Sequence, residues 1–105
     1  MTMINAESNA DLKSMVKKGL TLVDYGAPWC PPCRTLLPIL KELDRDLKGQ
    51  IPIVKVNCDD LPDAASEAGV MSMPTVIVYK NGEPMEKLVG LRPKNVYRQV
   101  LDKHR

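Results

Sequence analysis

The chain has 105 residues, a formal net charge of +2 at pH 7, and 44% hydrophobic residues. That is long enough for one domain with a real core, and the near balance of charge gives no basis for nucleic-acid or membrane binding. Three cysteines are too few for a secreted disulfide scaffold, and no apolar run approaches the length of a membrane span.

The N-terminal stretch carries Glu7 and Asp11 and lacks a basic-then-apolar signal pattern. Taken as the natural start, it predicts a cytoplasmic protein. Residues 1–5 read as a short edge strand. Ser8 or Asn9 can cap a helix whose Leu12, Met15 and Val16 share a face, and Gly19 ends it. Leu20 to Tyr25 is too apolar for strict alternation and reads as a buried strand. A helical pattern starts near Arg34, with Leu36, Leu40, Leu43 and Leu47 on one face and Pro38 inside it as a kink.

Ile51 to Asn57 is a second buried strand. Strand, crossover helix and strand form a parallel, right-handed unit. A short helix around Asp63 to Ala68 is closed by Gly69, and Thr75 to Tyr79 is a third strong strand. Asn81-Gly82 is a hairpin turn leading to a strand around Met85 to Val89, antiparallel to the one before it. The last helix runs from about Pro93 with Val96, Val100 and Leu101 inward. Arg92, Lys94, Arg98, Lys103 and Arg105 read as its solvated face, and His104 as solvated. The whole is an α/β sandwich, a mixed sheet covered by helices.

The chemistry is concentrated in Trp29-Cys30-Pro31-Pro32-Cys33. Cys30 falls where a strand ends and a helix begins. Sulfur there faces unpaired N–H groups and the positive end of the helix dipole, which favour thiolate over thiol. The motif points to thiol–disulfide exchange. Half of a zinc site is the alternative, but only Cys58 and His104 remain as further ligands, and neither has zinc-knuckle spacing. Asp24 is an acid inside an apolar strand. Burial disfavours its charged form and raises its pKa, fitting it to take a proton near neutrality.

Four segments together resemble the thioredoxin family: Val23 through Arg34, Pro38 five residues after the second cysteine, Ser72-Met73-Pro74-Thr75, and Lys80-Asn81-Gly82-Glu83 followed by Val89-Gly90. The resemblance covers nearly the whole chain with matching spacing. It implies one domain over residues 1–105, with a five-stranded mixed sheet flanked by four helices. It implies a protein-disulfide reductase in which Cys30 attacks a substrate disulfide and Cys33 resolves the mixed disulfide. Asp24 would accept the Cys33 proton, with Lys55 as its partner on the neighbouring strand. A cis bond before Pro74 would turn the Met73 backbone toward an extended substrate peptide. Trp29, Pro31, Pro32, Met73, Pro74, Val89, Gly90 and Leu91 would form the substrate surface. Met71 is divided between core filling and that surface. The family implies a monomer with no bound cofactor or metal, which acts on protein disulfides and draws electrons from NADPH through a thioredoxin reductase.

Two positions depart from the family pattern. Pro31 stands where glycine is usual, and Gly26 where a large aromatic is usual. Pro31 precedes a proline, which biases it away from helical geometry, and it lacks an amide that could bond sulfur. Gly26 removes packing beside the site and leaves space that methionine side chains could fill. These departures leave disulfide exchange intact and bear on the potential and on recognition by a thioredoxin reductase, and three further readings stand beside the leading one. The chain could be a specialised oxidoreductase with an altered potential and its own electron donor, a non-catalytic interaction module, or a metal binder. Cys58 reads either as a small buried apolar residue or as a site of glutathionylation or intermolecular pairing.

Overall fold

The computed structural model describes residues 3–105. Their elements are β1 (Met3–Asn5), α1 (Asn9–Val16), β2 (Leu20–Gly26), α2 (Pro31–Asp46), β3 (Ile53–Asn57), α3 (Pro62–Glu67), β4 (Thr75–Lys80), β5 (Glu83–Val89) and α4 (Lys94–His104). The five strands form one mixed sheet in the order β1-β3-β2-β4-β5. The pairs β1–β3 and β3–β2 are parallel, and β2–β4 and β4–β5 are antiparallel. Residues 1 and 2 of the expected first strand lie outside the described residues.

Strand periodicity divides the core. Leu22 and Ile53 face α2 and α4, packing with Leu36, Leu40, Leu43, Tyr97 and Leu101. Val23, Tyr25, Val54 and Val56 face the other way, against Leu12, Val16 and Ala64 of α1 and α3. Asp24 and Gly26 follow Leu22 at two-residue spacing, so they share the face turned to α2. The β2–β3 register sets Asp24 opposite Lys55 and Gly26 opposite Asn57. The carboxyl ends of the two parallel strands thereby converge beneath the start of α2.

Local chemistry explains most boundaries. The Ser8 hydroxyl accepts the Asp11 amide at 3.0 Å and starts α1. Asn81 and Gly82 both take positive φ, 52° and 87°, as a type I′ hairpin turn requires. Gly19 and Gly69 take left-handed φ just beyond α1 and α3.

Several expectations need correction. Helix α2 begins at Pro31, three residues before Arg34, and Pro31 is itself helical. The pre-proline bias loses here because two prolines at the first helical positions have φ preset and no amide to satisfy, while Cys30 supplies the cap. Strand β3 starts at Ile53, since Ile51 packs into the core ahead of the sheet. On α4 the fully buried residues are Tyr97 and Leu101, whereas Val96 and Val100 are only half-buried. His104 is not solvated, because Nε2 lies 3.1 Å from Glu86 Oε1 and the ring is largely covered. The basic C-terminal residues are met by acids. Lys94 bridges Glu42 and Asp46 of α2, both at 2.6 Å, and Lys103 reaches Glu86 at 2.8 Å.

Candidate active site

Cys30 is the N-cap of α2. Its Sγ accepts the backbone N–H of Cys33 at 3.4 Å, and its carbonyl accepts the Arg34 amide at 3.1 Å. An N–H aimed at sulfur from the first turn of a helix stabilises negative charge there once the disulfide is opened. Cys30 and Cys33 are disulfide-bonded, with Cα atoms 5.2 Å apart. They are only 5% and 6% exposed. Ala27 and half-buried Met73 pack against the pair.

The Met73–Pro74 peptide bond is cis. The Met73 carbonyl oxygen lies 3.9 Å from Cys30 Sγ. The Pro74 carbonyl accepts the Gly90 amide at 2.8 Å, and Thr75 pairs with Val89 in the β4–β5 register. Residues 73–74 and 89–90 are thus fastened side by side next to the disulfide. Trp29 is 60% exposed, Val89 and Leu91 are exposed, and so are Pro31 and Pro32. Pro74 is buried beneath this rim. Met71 is 97% exposed and takes no part in the core.

Beneath Cys33 lies Asp24, 4% exposed, whose Oδ1 has no hydrogen-bond partner. Burial pushes its carboxyl up to about 6, and the nearby Lys55 ammonium pulls it only partly back. A cleft of about 170 Å3 opens at this point, lined by Asp24, Gly26, Pro28, Cys33, Lys55 and Asn57 among others. No methionine of the described residues lines it, so among them the space beside Gly26 is not filled by methionine. A Cβ built on Gly26 would lie 3.2 Å from Cys33 Sγ and 3.8 Å from Asp24 Oδ1. Cys33 and the Asp24 carboxylate therefore face one small space.

Two contributors escaped the sequence reading. Asp59 accepts the indole N–H of Trp29 at 2.6 Å and fixes the exposed ring beside the disulfide. Asp59 is itself held by its amide donating to Asn57 Oδ1 at 2.9 Å. Its adjacency to Asn57 and Cys58 at the end of β3 was the available signal. The Tyr97 hydroxyl accepts the Arg92 amide at 3.1 Å and anchors the loop after Leu91 from below. Its spacing of four from Leu101 could have marked it as inward. Cys58 is half-buried beside the second core layer, and desolvation, with Asp24 and Asp59 nearby, raises its thiol pKa. That environment disfavours thiolate chemistry. Among the described residues no group of three or more His, Cys, Asp and Glu side chains is placed to hold a metal.

The thioredoxin family model matches residues 3–103. Thioredoxin of Staphylococcus aureus is 45% identical over 97 residues, covering 92% of this chain and 93% of that protein. Reduced Schistosoma mansoni thioredoxin pre-protein superposes with a TM-score of 0.87 at 34% identity, covering 98% of each chain. Fasciola hepatica thioredoxin gives a TM-score of 0.88 at 28% identity, covering 96% of this chain and 98% of its own. Together with a Cys30–Cys33 disulfide capping α2 on a sheet of this order, these matches establish that the chain belongs to the thioredoxin family and is a thiol–disulfide oxidoreductase.

Proposed function

We propose that this chain, working as one domain and as a monomer, reduces disulfides of protein substrates in the cytoplasm. The Cys30 thiolate attacks one substrate sulfur, forming a mixed disulfide and releasing a substrate thiolate. Cys33 passes its proton to Asp24 through water in the adjoining cleft, and its thiolate attacks Cys30 Sγ. The second substrate thiol leaves, and the Cys30–Cys33 disulfide remains. Lys55 moderates the Asp24 charge from the neighbouring strand. The observation that carries this reading is the Cys33 amide aimed at Cys30 Sγ from 3.4 Å at the helix start.

The substrate peptide runs along Met73 and Pro74 as an added strand. Trp29, Pro31, Pro32, Val89, Gly90 and Leu91 flank it with mostly apolar contact. A surface of this kind accepts many sequences, because backbone supplies the polar partners. The family works without a bound cofactor. Two electrons and two protons then return to the pair from NADPH through a thioredoxin reductase, completing an electron-transport cycle.

Reduction of insulin disulfides with dithiothreitol as donor tests the reading. Wild-type protein should accelerate it and Cys30→Ser should not, whereas normal activity in Cys30→Ser would overturn it. Pro31 favours a second reading, an oxidoreductase with a shifted potential and a dedicated donor. Failure of a thioredoxin reductase with NADPH to reduce active protein would select that reading.

A further inference from the structure

Beyond β5 the chain turns sharply at Gly90, whose φ is 86°, and runs through Leu91 and Arg92 to the start of α4. Three contacts hold this turn. The Gly90 amide donates to the Pro74 carbonyl at 2.8 Å. The Arg92 guanidinium donates through Nε and Nη2 to the Val89 carbonyl, both at 3.3 Å, and closes the turn on itself. The Arg92 amide donates to the Tyr97 hydroxyl at 3.1 Å. This last contact joins the turn to the core, because Tyr97 is fully buried in one cluster with Leu36, Leu40 and Leu101. A hydroxyl placed there loses its hydration and needs a partner, and the partner it has is a loop amide. Pro93 follows without an amide of its own, so the Arg92 N–H is the last backbone donor of the loop before α4.

We infer that Tyr97 is a positioning residue whose hydroxyl holds the wall of Val89, Gly90 and Leu91 in place for protein disulfides. It lies beneath that wall and acts through Arg92. An extended protein segment needs the wall and the Met73 backbone at a fixed separation. A wall ordered beforehand spares the cost of ordering it at encounter. A small disulfide needs only to reach Cys30 Sγ. The hydroxyl therefore raises reactivity toward protein disulfides over small ones. The inference rests on the proposed substrate surface and deepens it.

The test is a stopped-flow reaction of fully reduced wild type, Tyr97→Phe and Leu91→Ala with insulin and with bis(2-hydroxyethyl) disulfide, a small neutral disulfide. In each reaction two electrons and two protons leave the Cys30–Cys33 dithiol, its S–S bond closes, and the substrate S–S bond opens to two thiols. Phenylalanine keeps the ring in the core and removes only the oxygen. Tyr97→Phe should lower the second-order rate constant with insulin by roughly threefold or more, as loss of one hydrogen bond implies, and leave that with the small disulfide within about twofold. Hydrogen exchange at the Arg92 amide should speed up in the same variant. Leu91→Ala tests the surface itself and should also lower the insulin constant selectively. A fall below about threefold with insulin, an equal fall with both disulfides, or unchanged Arg92 exchange overturns the inference. If Leu91→Ala is selective and Tyr97→Phe is not, the substrate surface stands and the role of the hydroxyl falls. If neither variant separates the two disulfides, the surface falls with it.

Discussion

Burial of Asp24 costs the folded chain stability near neutrality. Its carboxyl titrates near 6 in the folded chain, while the unfolded value is about 3.9. The folded state therefore keeps a proton that the unfolded state has already released between about pH 4 and pH 6. Stability falls as pH rises through that window, is unaffected below it, and is flat above it. At about 1.4 kcal/mol per unit, the cost near neutrality is on the order of 2–3 kcal/mol. Asp24→Asn removes it, so the variant should be more stable than wild type at pH 7 and nearly equal at pH 3.5. Urea unfolding across pH 3.5–8 checks this, and parallel curves for the two proteins would count against it. In the proposed mechanism Asp24 takes the Cys33 proton, so the disulfide-reduction rate of the same variant at pH 7 should drop by roughly tenfold or more. Cys58, with its thiol pKa raised by burial, should alkylate far more slowly at neutral pH than reduced Cys30.

The helix carrying the cysteines owes its position to packing, and its first turn to capping. Leu36, Leu40 and Leu43 of α2 are fully buried against the sheet. Leu40→Ala should cost about 2–5 kcal/mol in urea unfolding, because both burial and a filled volume are lost. Lys94 with Glu42 and Asp46 joins α4 to α2, but these groups are partly exposed, so Lys94→Met should leave the urea midpoint nearly unchanged, and any loss should shrink in salt. Most of this level was legible in the sequence. The leucine stripe of α2, the apolar runs of β2 and β4, and Asn81-Gly82 are local signals that tertiary contacts do not override. The sulfur cap of α2 was legible in Cys30 at the strand–helix junction, but the first helical residue was not, because the pre-proline bias on Pro31 competes with that cap. Tyr97 was obscured by the polar residues around it on α4. Asp59 meets Trp29 from 30 positions away, and neither neighbourhood announces the other. The cleft beside Gly26 depends on how closely Cys33 and Asp24 pack, which spacing does not encode.

At the scale of the whole molecule, the sheet order brings four segments together at one end of the central strands. The carboxyl ends of β2 and β3 supply Asp24 and Lys55. The start of α2 supplies Cys30 and Cys33, and the Met73–Pro74 turn before β4 closes the other side. No described helix is long and apolar enough to cross a membrane. The buried carboxylate, the capped sulfur and the exposed apolar rim have separate structural origins and meet at a single site. The proposed roles of the two cysteines rest on that meeting, and trapping tests them most directly. Reduced Cys33→Ser and Cys30→Ser proteins are each mixed with a disulfide-containing substrate protein, and the adducts are resolved on a non-reducing gel and mapped by mass spectrometry. Cys33→Ser should accumulate a mixed disulfide through Cys30, and Cys30→Ser should yield little adduct. Equal trapping through Cys33 in the Cys30→Ser protein would contradict the assignment.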